Sequence, residues 1–285
     1  MNVLQDRGRV LTAKPAGAPP FVVFTGGKGG VGKTLLAVNT ALELARRRRR
    51  VLLVDLDLGL ADVDVVLRLS AQRTIEDALA GRASLAECVV RGPAGIAVLA
   101  GSSGTPGMAR LTDAERARFF AQLFELARDY DVVVADSAAG IGPDVLDVCL
   151  AADHVFVVTT PDPTALTDAY GLIKALHTRS EADGREMPTP ELVVNQSKSL
   201  EEAEFTAAKL RSVCERFLAR SPRSAGWMPS SLAVSRSAAT QRPFALDADS
   251  GLPWSCLARL ATRLERLCLG SVADAQPQGV VSHGR

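Results

Sequence analysis

Short continuous runs of apolar residues recur along this chain, and longer stretches with helical spacing of apolar positions separate them. The runs are Phe21–Phe24, Val51–Val54, Ile96–Leu99, Val132–Ala135, Val155–Val158, Leu192–Val194 and Gly226–Met228. Most do not alternate apolar with polar, which is the pattern of strands covered on both faces. Thr112 followed by Glu115 forms a capping box ahead of a helix over Ala114–Arg128, whose Phe119, Leu123 and Leu126 share one face. Ser199 and Glu202 repeat the device ahead of another helix. Strands alternating with helices predict an α/β fold, a doubly wound and mostly parallel sheet with helices on both faces. Residues 1–19 are polar and carry Pro15 and Pro19, so they read as a flexible lead. Residues 20–270 read as one domain, and 271–285, with Gln276, Pro277, Gln278 and Gly279, as a disordered tail.

Bulk properties narrow the partners. A length of 285 residues suits one α/β domain, and 47% hydrophobic content supports a large core. The formal net charge of +1 supplies no global field toward nucleic acid or anionic lipid, so no sequence-specific nucleic-acid partner is expected. The sequence holds no apolar run long enough to span a membrane, and its start lacks the apolar segment of a secretory signal. Cys88, Cys149, Cys214, Cys256 and Cys268 are scattered without a C-x-x-C pair, which reads as reduced structural cysteines in a cytoplasmic protein.

The candidate chemistry starts directly after the first apolar run. Gly27-Lys28-Gly29-Gly30-Val31-Gly32-Lys33-Thr34 joins a predicted strand to a predicted helix. In that setting G-x-x-x-x-G-K-[ST] is a phosphate-binding loop (P-loop). Its backbone N–H groups and the helix N-terminus attract an anion. Lys33 would lie between the β- and γ-phosphates, and the Thr34 hydroxyl would hold Mg²⁺. The same residues fit the dinucleotide pattern G-x-G-x-x-G, with Asp55 further on. Lys33 and Thr34 decide against that, because a dinucleotide site has no use for a buried lysine and a metal-binding hydroxyl. Asp55 and Asp57 follow the second strand and Asp136 ends the fourth, at the carboxyl ends where an open α/β sheet binds ligands. These carboxylates are candidates for orienting Mg²⁺-bound and attacking water. Asp131 begins its strand and lies at the wrong edge. Arg46–Arg50 follows the first helix and is expected to be a solvated helix end, with a DNA- or lipid-contacting patch as the alternative.

Several motifs carry a resemblance. The loop K-G-G-x-G-K-[ST], with its early Lys28, resembles the deviant Walker A loop of the MinD/ParA family of ATPases. Asp57-Leu58-Gly59-Leu60-Ala61-Asp62-Val63-Asp64 is similar to the D-L-G-L-A-N-V-D signature of the FlhG/FleN branch, the flagellar number regulators. Leu99–Gly104 with Met108-Ala109, Asp136–Ile141, Val158–Thr164 with Thr167–Tyr170, Val193–Gln196 and Gly226–Pro229 continue the likeness. The resemblance implies that Gly27, Gly29, Gly30, Val31, Gly32, Lys33 and Thr34 bind the phosphates of ATP. It implies that Thr34, Asp57 and Asp136 surround Mg²⁺. Asp57 would position the attacking water, and Lys28 would reach across an ATP-dependent homodimer. Asn195 would read the adenine edge near Pro229, a role that suits an amide able to donate and accept.

Departures are visible too. Leu35 replaces a polar residue, so a contact to the α-phosphate is expected to be missing. Asp62 stands where relatives carry asparagine. The N-terminal D-Q-A-x-x-L-R motif that stimulates the partner GTPase FlhF is reduced to Leu4–Leu11. Ser255–Leu269 places Leu257, Leu260, Leu264 and Leu267 opposite Arg259, Arg263 and Arg266, and reads as the last core helix before it reads as a membrane-surface helix. The expected function is a slow, Mg²⁺-dependent ATPase acting as a dimerisation switch in flagellar number or placement. Its partners would be an FlhF-type GTPase, a flagellar transcription activator or flagellar switch proteins. Its place would be the cytoplasm or the inner face of the cell membrane. The alternatives are a nucleotide-gated regulator of a transcription activator with incidental hydrolysis, and a ParA-type DNA-partition ATPase. An iron–sulfur reductase is disfavoured, because the segment after Asp136 has no cysteine.

Overall fold

A computed structural model describes residues 14–101, 111–247 and 251–269. The lead up to residue 13, the Ser102–Ala109 part of the family likeness and the tail from residue 270 lie outside the described residues.

Eight strands form one sheet in the order β3-β4-β2-β5-β1-β6-β7-β8. They are β1 (Phe21–Gly26), β2 (Val51–Leu56), β3 (Val89–Arg91), β4 (Ala97–Leu99), β5 (Val132–Ala139), β6 (His154–Thr159), β7 (Glu191–Ser197) and β8 (Arg223–Pro229). Every pair is parallel except β3–β4. All of the expected strands are present. The antiparallel edge strand β3 is the addition, and its three half-buried or exposed residues leave no apolar run to read.

Two cores lie on the two faces of the sheet, because each strand sends alternate residues to opposite sides. Phe21, Val23, Leu52, Val54, Val133 and Ala135 pack against helices α4 (Asp113–Ala127), α5 (Pro143–Ala151) and α6 (Pro163–Ala182). Phe21 meets Phe124 edge to face at 5.7 Å between ring centroids. Val22, Phe24, Leu53, Val132 and Val134 pack against α1 (Lys33–Arg46) and α9 (Leu252–Cys268). The short helices α2 (Val63–Leu67), α3 (Ile75–Leu79) and α8 (Leu232–Ala239) fill the edges, and α7 (Leu200–Leu218) flanks α6.

The Thr112–Glu115 capping box is complete, with both reciprocal bonds formed. The second device is half formed. Ser199 accepts from the Glu202 N–H, but the Glu202 carboxylate turns back to the Lys198 N–H and the Ser197 hydroxyl. Ahead of β1 the chain is already tied to the fold. Ala18 N–H donates to Pro15 O in a turn, and Lys14 Nζ donates to Asp153.

The arginine run is a helix end with Arg46, Arg48 and Arg50 exposed, but Arg47 and Arg49 are engaged in contacts within the fold rather than left as a free basic patch. Arg48 takes φ 65° in a Schellman turn, with Arg48 N–H on Ala45 O and Arg49 N–H on Leu44 O. Arg47 bonds Glu43, Thr262, Glu265 and Ala258 O, Arg49 bonds Glu265, and Arg46 bonds Ala245 O. Arg47 and Arg49 clamp α1 to α9, because the turn aims these two guanidinium groups at acceptors of that one helix. Arg50 chelates Asp131 at the amino end of β5. Helix α9 buries Leu257, Leu260 and Leu264 and is a core helix. Among the described residues no helix is long and apolar enough to cross a membrane.

Candidate functional site

The loop Gly27–Gly32 leaves the carboxyl end of β1 and enters α1 at Lys33. Two glycines are required by the backbone itself. A Cβ at Gly27 would lie 2.1 Å from Asp168 O on α6, so main chain touches main chain there. Gly32 caps α1 with φ 93°, and a Cβ would meet Asn195 Nδ2 at 2.2 Å. Gly29 and Gly30 face open space, as a cradle for an anion requires. Val31 is buried in the core beside α1 and anchors the loop from below.

Lys33 is 7% exposed and runs along the loop, with its Cδ 3.4 Å from where a Gly26 Cβ would stand. The Thr34 hydroxyl donates to Asp136 Oδ2 at 2.5 Å. The other oxygen, Asp136 Oδ1, is buried without a partner. Burial, opposed by the Thr34 hydroxyl and Lys33, pushes the Asp136 carboxyl up to about 7. An orphaned buried oxygen beside a hydroxyl donor fits a hydrated divalent cation. The surroundings agree, since Asp57, Asp62 and Asp144 bring further negative charge near this point. Asp57 is half-buried, and burial raises its carboxyl against the pull of Lys33.

Asp55 takes a different place from the one its spacing suggested. It sits opposite Asp136 on neighbouring strands and is fully buried. Its carboxylate accepts N–H bonds from Asp57, Asp62 and Val63, each at 3.1 Å. It therefore staples the 57–63 loop to the sheet. Burial first, and then the charge of Asp136, raise its carboxyl well above the usual range.

Lys28 is held within its own subunit. Its ammonium donates to the Thr164 hydroxyl and lies 3.6 Å from Asp162 Oδ1. Asp162 caps α6, accepting from Thr164 and Ala165 N–H, and the Thr164 hydroxyl with these N–H groups holds its carboxyl down at about 2. A cap residue followed by proline is a readable helix start, but nothing in the sequence pairs it with Lys28.

Asn195 is 1% exposed, donates to Val31 O at 2.7 Å and accepts from Gln196 N–H. It thus supports the loop from beneath while its second N–H remains available. Beside it opens a recess of about 400 Å³ lined by Gly30, Leu35, Asn195, Gln196, Pro229 and Ser231. That volume suits a small ligand such as a nucleobase. Sequence reasoning passed over Gln196, which has φ 56° and bonds Gly30 O. A positive φ on a non-glycine residue leaves no mark in the sequence. Cys149 is fully buried in α5, and burial pushes its thiol up to about 12, so it is inert.

Comparison with known proteins agrees with this geometry. The AAA domain family matches residues 21–186. The antiactivator FleN of Pseudomonas aeruginosa is 39% identical over 221 residues, which is 78% of this chain and 77% of that protein. The flagellum site-determining protein YlxH of Helicobacter pylori is 37% identical over 158 residues, 55% of this chain and 54% of that one. Among solved structures, septum site-determining protein MinD complexed with Mg-ADP from Pyrococcus horikoshii superposes with a TM-score of 0.70 at 20% identity. That match covers 87% of this chain and 96% of the other, and it supports the fold. The loop, the strand order and the relatives together make this chain a member of the AAA domain family, a P-loop ATPase of the MinD/ParA type akin to FleN.

Proposed function

We propose that the chain is an ATP-driven dimerisation switch that regulates flagellar number or placement through a partner protein. The observation that carries this reading is the loop itself, with buried Lys33, Thr34 bonded to Asp136 and Lys28 set apart on Thr164. Lys33 and the loop amides bind the phosphates of ATP. Thr34 holds Mg²⁺, with Asp136 and Asp57 around it, and the ion offsets phosphate charge when bound. Asp57 orients the attacking water. The recess beside Asn195 and Pro229 takes the base.

Lys28 is unnecessary for its own loop, which Lys33 already serves, and it is free to act on a second subunit once it leaves Thr164. Leu60, Ile141 and Leu232 are 74%, 57% and 73% exposed around the ligand end of the sheet. Large apolar side chains left in water favour a face that is covered in one state. The names of the relatives, an antiactivator and a flagellum site-determining protein, support an activator or another protein of the flagellar system as the partner class.

Light scattering with ADP and ATP tests the switch. Lys28→Ala should bind ATP and remain a monomer, while Asp57→Ala should persist as an ATP-bound dimer. Dimerisation of Lys28→Ala at wild-type ATP concentration would overturn the cross-subunit role.

A further inference from the structure

Strand β7 ends in an irregular turn beside the phosphate loop. Its pairing with β8 shifts register between Val194 and Ser197, so Asn195 and Gln196 stand outside the regular ladder. Gln196 takes φ 56°, in the left-handed region that a residue with a Cβ enters only against strain. The residue is exposed, so packing gains little from the strain. What the turn achieves is aim. The Gln196 side chain donates to Gly30 O at 3.3 Å, and the buried Asn195 amide donates to the next carbonyl, Val31 O, at 2.7 Å. Gln196 N–H donates to Asn195 Oδ1 at 2.9 Å, which ties the two amides into one unit.

Two adjacent carbonyls of the P-loop are therefore held from outside. A peptide unit is planar and trans, so its C=O and the N–H that follows point in opposite directions. Holding Gly30 O and Val31 O outward turns Val31 N–H and Gly32 N–H inward, toward the cradle. Neither N–H has an acceptor among the described residues. The Gly30–Val31 peptide is the one that needs a restraint. Gly30 has φ 78° and open space where a Cβ would stand, so its own residue does little to limit rotation.

We propose that Gln196 is a positioning residue for ATP, its amide fixing the Gly30 peptide so that Val31 N–H is aimed at the phosphates before they arrive. The inference rests on Gly27–Thr34 being the phosphate site. Donors already in place bind an anion more tightly, because less rotation is left to freeze on binding. The strained turn at 196 serves that aim rather than the stability of the fold.

Calorimetry with Mg²⁺ on the full-length chain tests this, with ATP and with tripolyphosphate, which has no base. Gln196→Met keeps the length of the side chain but cannot donate. Gln196→Gly also loses the donor, yet takes φ 56° freely. Both variants should bind ATP roughly three- to tenfold more weakly, as loss of one hydrogen bond gives, and tripolyphosphate should weaken by the same factor. The urea midpoint should stay at the wild-type value in Gln196→Met and at or above it in Gln196→Gly, so that affinity falls while stability does not. Wild-type ATP affinity in the variants would overturn the proposal. So would a loss confined to ATP, which would make Gln196 a contact of the base, and so would a Gln196→Gly midpoint that falls along with affinity, which would make its role structural. Failure of the wild type to bind tripolyphosphate would overturn the phosphate-site reading of the loop, and this inference with it.

Discussion

Asp136 concentrates the electrostatic problem of the site in one residue. Its carboxyl is raised from 3.8 to about 7, by burial above all. The native metal-free chain therefore holds a proton there that the unfolded chain has lost above pH 4. Between about pH 4 and pH 7 the native state binds more protons, so this group's contribution to stability is present at the acid end and fades as pH rises through 7. A cation needs the carboxylate, so Mg²⁺ affinity should run the other way and fall as pH drops below 7. Isothermal titration across pH 5.5–8 should show this slope in the wild type and a flat, weak response in Asp136→Asn. A flat wild-type profile would remove Asp136 from the metal's surroundings. The neighbouring Asp55 shows where reading by spacing stops. Two acids two residues apart after a strand look like a pair, yet only the fold shows one stapling the loop and the other half-buried within the pull of Lys33. The P-loop was fully readable because its requirements are local, namely glycine freedom, a helix start and a lysine.

Among the elements, α1 and α9 are joined by Arg47 and Arg49 of the arginine run. Arg47→Ala removes the bonds to Glu43, Thr262, Glu265 and Ala258 O and leaves the mostly buried Glu43 without its guanidinium. Urea unfolding should show a loss of about 2–4 kcal/mol. Arg48→Gly should instead gain about 0.5–1 kcal/mol, because glycine takes the left-handed turn position without strain. A run of like charges in a sequence says nothing about acceptors brought from more than two hundred residues away, so its role was hidden. The strands and the Thr112 cap were legible because continuous apolar runs and capping pairs are local patterns. β3 was missed because an edge strand needs little burial. Helix α9 read as core or surface from its leucine stripe alone, and its contacts with α1 and β8 decide for core.

For the whole molecule, the proposed dimerisation would have to break the contact of Lys28 with Thr164 on α6. Thr164→Val removes the hydroxyl that Lys28 uses, while Asp162 still caps α6 through the Thr164 and Ala165 N–H groups. Sedimentation at graded ATP should then show dimers at roughly two- to tenfold lower nucleotide, the worth of one hydrogen bond. An unchanged midpoint would mean that Lys28 is not restrained by this contact. Neither the Lys28–Thr164 bond nor the Asn195–Val31 support could be read beforehand, since each joins residues more than a hundred positions apart. The meeting of Gly27 with Asp168 reaches further still. Because peptide touches peptide at that point, the first turn of the loop and the second turn of α6 move as one body, whatever side chains surround them. Helix α6 is twenty residues long and its Arg179 lies 3.3 Å from Asp147 on α5. A rod of about 30 Å thus carries any displacement of the loop to the far side of the domain. Gly27→Ala should uncouple the two, costing about 3 kcal/mol or more in thermal unfolding, and the loss should persist when Lys28 is also shortened to alanine.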